Sequence, residues 1–65
     1  MAQINGRKVP ATDGKTIAQY IEEVGYGINS IAVECNGKIV SKKDYESSVL
    51  TESDIVEVVT FVGGG

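Results

Sequence analysis

Apolar positions along this chain recur with two different periods, and the places where the period changes divide it into elements. Around Asn5-Gly6 the pattern alternates. Asn-Gly is a strong two-residue hairpin signal, because both central positions of a type I′ turn take positive φ. Such a turn sets Ile4 opposite Arg7 and Ala2 opposite Val9, so that Ala2, Ile4 and Val9 share a face. Pro10 suits a strand end or an edge, and Asp13-Gly14 marks the next turn. The period then becomes helical. Ile17, Tyr20, Ile21 and Val24 fall at i, i+3, i+4 and i+7, one apolar stripe, with Gln19, Glu22 and Glu23 on the wet side. Thr16 with Gln19 three residues on makes a capping box, and Gly25 suits the left-handed position that ends a helix.

Alternation returns after the helix. Ile31, Val33 and Cys35 point one way and Ala32 and Glu34 the other, up to a second Asn-Gly turn at Asn36-Gly37. A two-residue loop there puts Val40 on the Val33 face and Ile39 on the face of Ala32 and Glu34, an assignment that a one-residue slip of register would reverse. Residues 41–53 are polar and irregular, with Tyr45, Val49 and Leu50 as anchors and Leu50 buried. From Asp54 to Val62 the chain is rich in β-branched residues. Val56 and Val58 face one way, and Ile55, Glu57, Val59 and Phe61 the other. Apolar residues on both faces imply a central strand, or a strand with one face used for binding. Two strands, a helix and three further strands predict an α+β fold: a mixed sheet of four to five strands with one helix across one face. Parallel pairing of the first and last strands, with the helix in the crossover, gives the β-grasp arrangement.

Size and composition narrow what such a fold can do. A chain of 65 residues is one domain that buries only about 60% of its unfolded surface, which leaves little room for a deep pocket beside a core. The net charge is −3, and the longest basic run, Lys42-Lys43, is followed at once by Asp44. Nucleic-acid binding through phosphate contacts needs a basic stripe that is missing here, so a partner with a basic face fits better. Glu57 and the other acids read as a solvated face at least as readily as a docking surface. There is no histidine and a single cysteine, Cys35. The usual zinc sites, Ser-His-Asp catalysis and Cys-His catalysis are thereby excluded, and no metal site is expected. Cys35 reads as a small hydrophobe on the Val33 face, since a reactive thiol needs positive neighbours and Lys38 is the only candidate. No apolar run approaches a membrane span and the first residues lack signal-peptide features, so a cytoplasmic monomer that binds no membrane is expected.

The end of the chain carries the functional signal. Residues 1–62 form the domain, and 63–65 are a glycine tail. Three glycines maximise chain entropy and cannot contribute to a core. On its own such a tail is as consistent with a frayed end as with function. Lacking side chains, it could thread a narrow channel and carry a terminal carboxylate into another protein.

The opening Ile4-Asn5-Gly6, the run from Ile31 through Val40, and above all the close from Asp54 through Phe61-Val62-Gly63-Gly64-Gly65 resemble the ThiS family, the ubiquitin-like sulfur carriers of the thiamine pathway. The resemblance covers essentially the whole chain, and Cys35 belongs to none of its motifs. It implies that a ThiF-type, E1-like enzyme uses ATP to adenylate the carboxylate of Gly65. Sulfur from a donor protein or sulfide then gives a thiocarboxylate, which a ThiG-type thiazole synthase consumes. The chain would then be a protein cosubstrate, not an enzyme, and would bind no cofactor itself. Gly63, Gly64 and Val62 would contact partners; Phe61, Val59, Ile39 and Ala32 read from their shared face as a contiguous partner patch beside the tail, or as scattered surface apolarity. Alternatives are a carrier for molybdopterin, transfer-RNA thiolation or sulfur amino-acid synthesis, a ubiquitin-like modifier of target lysines, and a plain β-grasp binding module with an inert tail.

Overall fold

The computed structural model describes residues 1–10 and 12–61. The C-terminal residues 62–65, on which the tail assignments fall, lie outside the described residues. Both Asn-Gly turns form as expected. Asn5 and Gly6 have φ of 51° and 82°, and Asn36 and Gly37 of 54° and 84°, the paired positive values of a type I′ turn. The first turn joins β1 (Ala2–Ile4) to β2 (Arg7–Val9), with Ala2 opposite Val9 and Ile4 opposite Arg7. The second joins β3 (Ile31–Cys35) to β4 (Lys38–Val40), with Val33 opposite Val40 and Glu34 opposite Ile39. The register of this hairpin is the one that a two-residue loop requires.

Helix α1 (Ile17–Val24) begins at Thr16, whose hydroxyl accepts from the Gln19 N–H while the Gln19 side chain accepts from the Thr16 N–H. It ends at Gly25, with φ of 92°. The N–H of Gly25 reaches the Glu22 carbonyl and that of Tyr26 reaches the Ile21 carbonyl, the two reversed bonds of a Schellman ending. This ending changes the expected stripe. Ile17 and Ile21 are buried, but Val24 is 49% exposed. The chain reverses at Gly25, and Tyr26, just past the turn, packs against the core with Ala18 and Tyr20.

The last strand, β5 (Ile55–Thr60), lies at the centre of a five-stranded sheet of order β2-β1-β5-β3-β4, parallel to β1 and antiparallel to β3. One sheet face, carrying Ile4, Ile31, Val33, Val56 and Val58, packs against Ile17 and Ile21 of α1. The segment between β4 and β5 closes the remaining side. A single 3-10 turn (Lys42–Asp44) leads to Tyr45, and Tyr45 and Leu50 are each 2% exposed in the core. Val49 is 54% exposed instead of an anchor. Neighbours on an extended backbone point opposite ways, and Leu50 takes the inward position. Thr12, unremarkable in the sequence, is buried, its hydroxyl donating to the Val9 carbonyl at 3.0 Å. Among the described residues no helix is long and apolar enough to cross a membrane.

The turn asparagines also extend the sheet. β1 pairs with β5 only as far as Ile4 opposite Val56, because the chain then turns away. The Asn5 side chain continues the ladder: its Oδ1 accepts from the Val58 N–H at 2.8 Å and its Nδ2 donates to the Val58 carbonyl at 3.3 Å. On the other flank, Asn36 Oδ1 accepts from the Ile55 N–H at 2.9 Å while the Asn36 N–H donates to the Ile55 carbonyl at 2.7 Å. Asn5→Ala removes both side-chain bonds and puts alanine, which tolerates the left-handed region less well than asparagine, at that φ, at an expected cost of about 2 kcal/mol in urea unfolding. Asn5→Gly keeps the turn and is expected to recover about half of that loss.

Candidate functional site

β5 is the element that carries the chain toward its C-terminus, and its position is fixed at three levels. At its start, Asn36 grips Ile55 and also donates to Asp54 Oδ1 at 3.0 Å, while the Thr51 N–H donates to Asp54 Oδ2 at 2.9 Å. In the middle, Asn5 holds Val58. At its end, the Phe61 N–H donates to the Ser30 carbonyl at 2.8 Å, beside the 3-10 turn (Ile28–Ser30) that precedes β3. The strand that leads to the tail is thus held from both flanks by backbone and side-chain bonds, which a one-residue slip would break.

Burial raises the Asp54 carboxyl, but the hydrogen bonds from Asn36 and Thr51 outweigh it and hold the group below the usual aspartate value. A carboxyl lowered by folding contributes stability that is present above its unfolded value, about pH 4, and is lost as the pH falls through the lower folded value. The stability advantage of the native chain over Asp54→Asn should accordingly be largest near neutrality and shrink in acid. A urea-midpoint difference that stays constant across that range would refute this role.

The sheet face away from the helix gathers the apolar residues singled out in the sequence. Ala32 and Val59 are direct cross-strand partners. Ile39, 77% exposed, flanks them from β4. Phe61 follows Val59 in the alternation and is half exposed. Val62, Gly63, Gly64 and Gly65 lie outside the described residues. Ile55 also belongs to this face and is 53% exposed. It stood on the same side in the alternation as Val59 and Phe61, yet lies too far along β5 to be joined to them without the register between strands. That register likewise places Glu34 directly opposite Glu57. Cys35, opposite Val56 and Lys38, packs half-buried against the core. Burial first, and Asp54 second, push its thiol up, which favours the protonated, unreactive form. Among the described residues, no group of three side chains is placed to hold a metal.

The sheet order, the parallel β1–β5 pair and the single crossover helix define a ubiquitin-like β-grasp protein. The ThiS family model matches residues 2–65, and the chain belongs to the ThiS family. It is 35% identical to the sulfur carrier protein ThiS of Bacillus subtilis over 66 residues that span both chains completely. It is also 39% identical over 62 residues to a thiazole synthase of Magnetococcus marinus, covering 95% of this chain and 19% of that protein. The chain thus spans about a fifth of the length of the thiazole synthases that it matches. In fold it is similar to the crystal structure of the thiamine biosynthesis protein ThiS from Geobacter metallireducens, with a TM-score of 0.77 at 21% identity over 98% of this chain and 97% of the other.

Proposed function

We propose that this chain is a sulfur carrier of thiamine biosynthesis whose reactive group is the C-terminal carboxylate of Gly65. The observation that carries the reading is the similarity, over the full length of both chains, to a sulfur carrier of Bacillus subtilis. A carboxylate is a poor acyl donor because its leaving group would be oxide. Attack of a Gly65 carboxylate oxygen on the α-phosphorus of ATP, in a ThiF-type adenylyltransferase, expels pyrophosphate and leaves an acyl adenylate. A sulfur nucleophile supplied as sulfide or by a donor protein then adds to the acyl carbon and AMP departs. Sulfide gives the thiocarboxylate directly; a protein persulfide gives an acyl disulfide, and a second thiol then attacks the donor's sulfur, forming a disulfide with it and releasing the thiocarboxylate on the chain. In this reading the chain is a cosubstrate of cytoplasmic enzymes, it holds no cofactor of its own, and ATP belongs to the activating partner.

A ThiG-type thiazole synthase as the acceptor is supported by the thiazole synthases of which one fifth resembles this chain. Carrying both in one polypeptide raises the effective concentration of one for the other. The outer sheet face, with Ala32, Ile39, Val59 and Phe61, is the surface this reading gives to partners, since contiguous exposed apolar residues mark interaction sites. In the sequence, Val62, Gly63 and Gly64 stand between Phe61 and the reactive Gly65, and this reading assigns them to partner contact as well. The test is intact mass spectrometry after incubation with ATP, sulfide and the ThiF-type enzyme. A gain equal to sulfur replacing one oxygen supports the reading. An unchanged mass, with the enzyme shown active on another carrier, overturns it.

A further inference from the structure

The outer sheet face has an uncommon centre. Along β5 it presents Ile55, Glu57, Val59 and then Phe61, and across the sheet Ile39, Glu34 and Glu57 stand in one row on three adjacent strands. Ala32 and Val59 flank that row on one side and Ile55 on the other. Two carboxylates on directly opposed residues therefore sit inside a rim of exposed apolar side chains. Like charges opposite one another on a sheet are destabilising. The cation that the register puts on this face, Lys8, lies opposite Gln3, on the far side of β1 from β5. The ion pair formed among the described residues, Lys15 with Glu23, does not involve this face.

The arrangement has a consequence for any protein that covers the patch. Burying the apolar rim removes water from both carboxylates, and an ionised carboxylate taken from water without a partner is costly. A purely apolar partner is thus penalised, and one that presents a cation gains a short, charge-assisted contact in a medium where attraction is strengthened. Charge complementarity of this kind selects partners as much as it binds them. We propose that Glu34 and Glu57 together receive a cationic side chain, arginine above lysine, from the adenylating partner when it docks on the outer sheet face. Arginine suits the site because its planar fork can bond both carboxylates at once. The proposal rests on the sulfur-carrier reading for the identity of the partner.

The test uses the full chain and the ThiF-type adenylyltransferase of the same organism, in two separate readouts. Titration calorimetry at low and high salt measures docking, and intact mass measures sulfur transfer. Neutralising both groups, Glu34→Gln with Glu57→Gln, is expected to weaken docking and raise the KM for the carrier about tenfold, with kcat unchanged and a flatter salt dependence. Reversing both to lysine is expected to weaken docking at least about a hundredfold. The same neutralisation at Glu22 and Glu46, on the helix side, controls for net charge and should change docking less than twofold. The doubly neutralised carrier should unfold at no lower temperature than the native one, because a repulsion has been removed. Docking unchanged within twofold in the Glu34 and Glu57 variants, or equally weakened in the control, overturns the proposal. If the native chain docks but gains no sulfur mass, the carrier reading fails while the calorimetry still decides whether the pair receives a cation.

Discussion

Deleting Gly65 should cut thiocarboxylate formation well beyond about a hundredfold while leaving the unfolding transition of the domain unchanged, the largest functional effect expected of any single-residue change in the chain. Loss of one residue retracts the terminal carboxylate by up to about 3.5 Å, and a misplacement of about 1 Å at a reacting centre can already cost about a hundredfold in rate. A fall well beyond a hundredfold follows, although a carboxylate is still present at the new terminus. Extending the chain by one glycine should fail for the same reason in the opposite direction. Stability should not follow activity. Glycine has no side chain to bury, and the described core is complete by Val58. Mass spectrometry for sulfur gain and urea unfolding, run on the native, shortened and extended chains, separate the two properties. Full sulfur gain by the shortened chain would mean that the partner reads no fixed reach from the sheet, and the assignment of the chemistry to Gly65 would fall.

Much of this architecture is legible before any coordinates, and what is not legible has a common cause. Asn5-Gly6, Asn36-Gly37 and Gly25 are local signals: each names a backbone conformation that few other residues adopt, and each is found where the sequence puts it. Thr16 and Gln19 behave the same way at the start of α1. The errors fall where one residue competes with another for a buried position. Val24 keeps the helical period, but Tyr26 reaches the core after the Gly25 reversal. Val49 and Leu50 are neighbours of similar character, and only one of them can point inward. The site follows the same division. Ala32, Ile39, Val59 and Phe61 could be assigned to a face by alternation alone. The Glu34–Glu57 opposition, and the grip of Asn5 on Val58 across 53 residues of sequence, depend on pairings between distant strands that no local pattern encodes.

These long-range pairings connect stability to the proposed chemistry. β5 receives its hydrogen bonds from β1, β3 and both turn asparagines, so the outer face and the exit toward Gly65 are held by the same strand whose other side, at Val56 and Val58, lies in the core. A carrier must present a short tail at a constant reach to more than one enzyme. A central strand, packed on one face and exposed on the other, meets that need.

The largest loss of stability should come from the irregular strap between β4 and β5. Leu50 is 2% exposed among Ile17, Tyr45 and the sheet. Its N–H donates to the Lys15 carbonyl at 2.7 Å and its carbonyl accepts from the Gly14 N–H at 3.0 Å. The strap is thereby tied to the entry of α1, and Leu50 is the side chain that fills the space beneath that junction. Leu50→Ala removes apolar surface and leaves a cavity that the two backbone bonds prevent from collapsing, at a cost of about 3 kcal/mol. A domain of this length has about 3–10 kcal/mol in total. With a urea slope near 1 kcal/mol/M for so small a chain, the midpoint should fall by about 3 M. Leu50→Met, which keeps the volume, should lose less than about 1.5 kcal/mol. Folded Leu50→Ala, assayed in the cold, should still accept sulfur, because the tail sequence is unchanged and the outer face lies on the other side of the sheet from Leu50. A midpoint shift below about 1 M would show that the strap rearranges around the smaller side chain, and that Tyr45 alone is enough to hold it to the core.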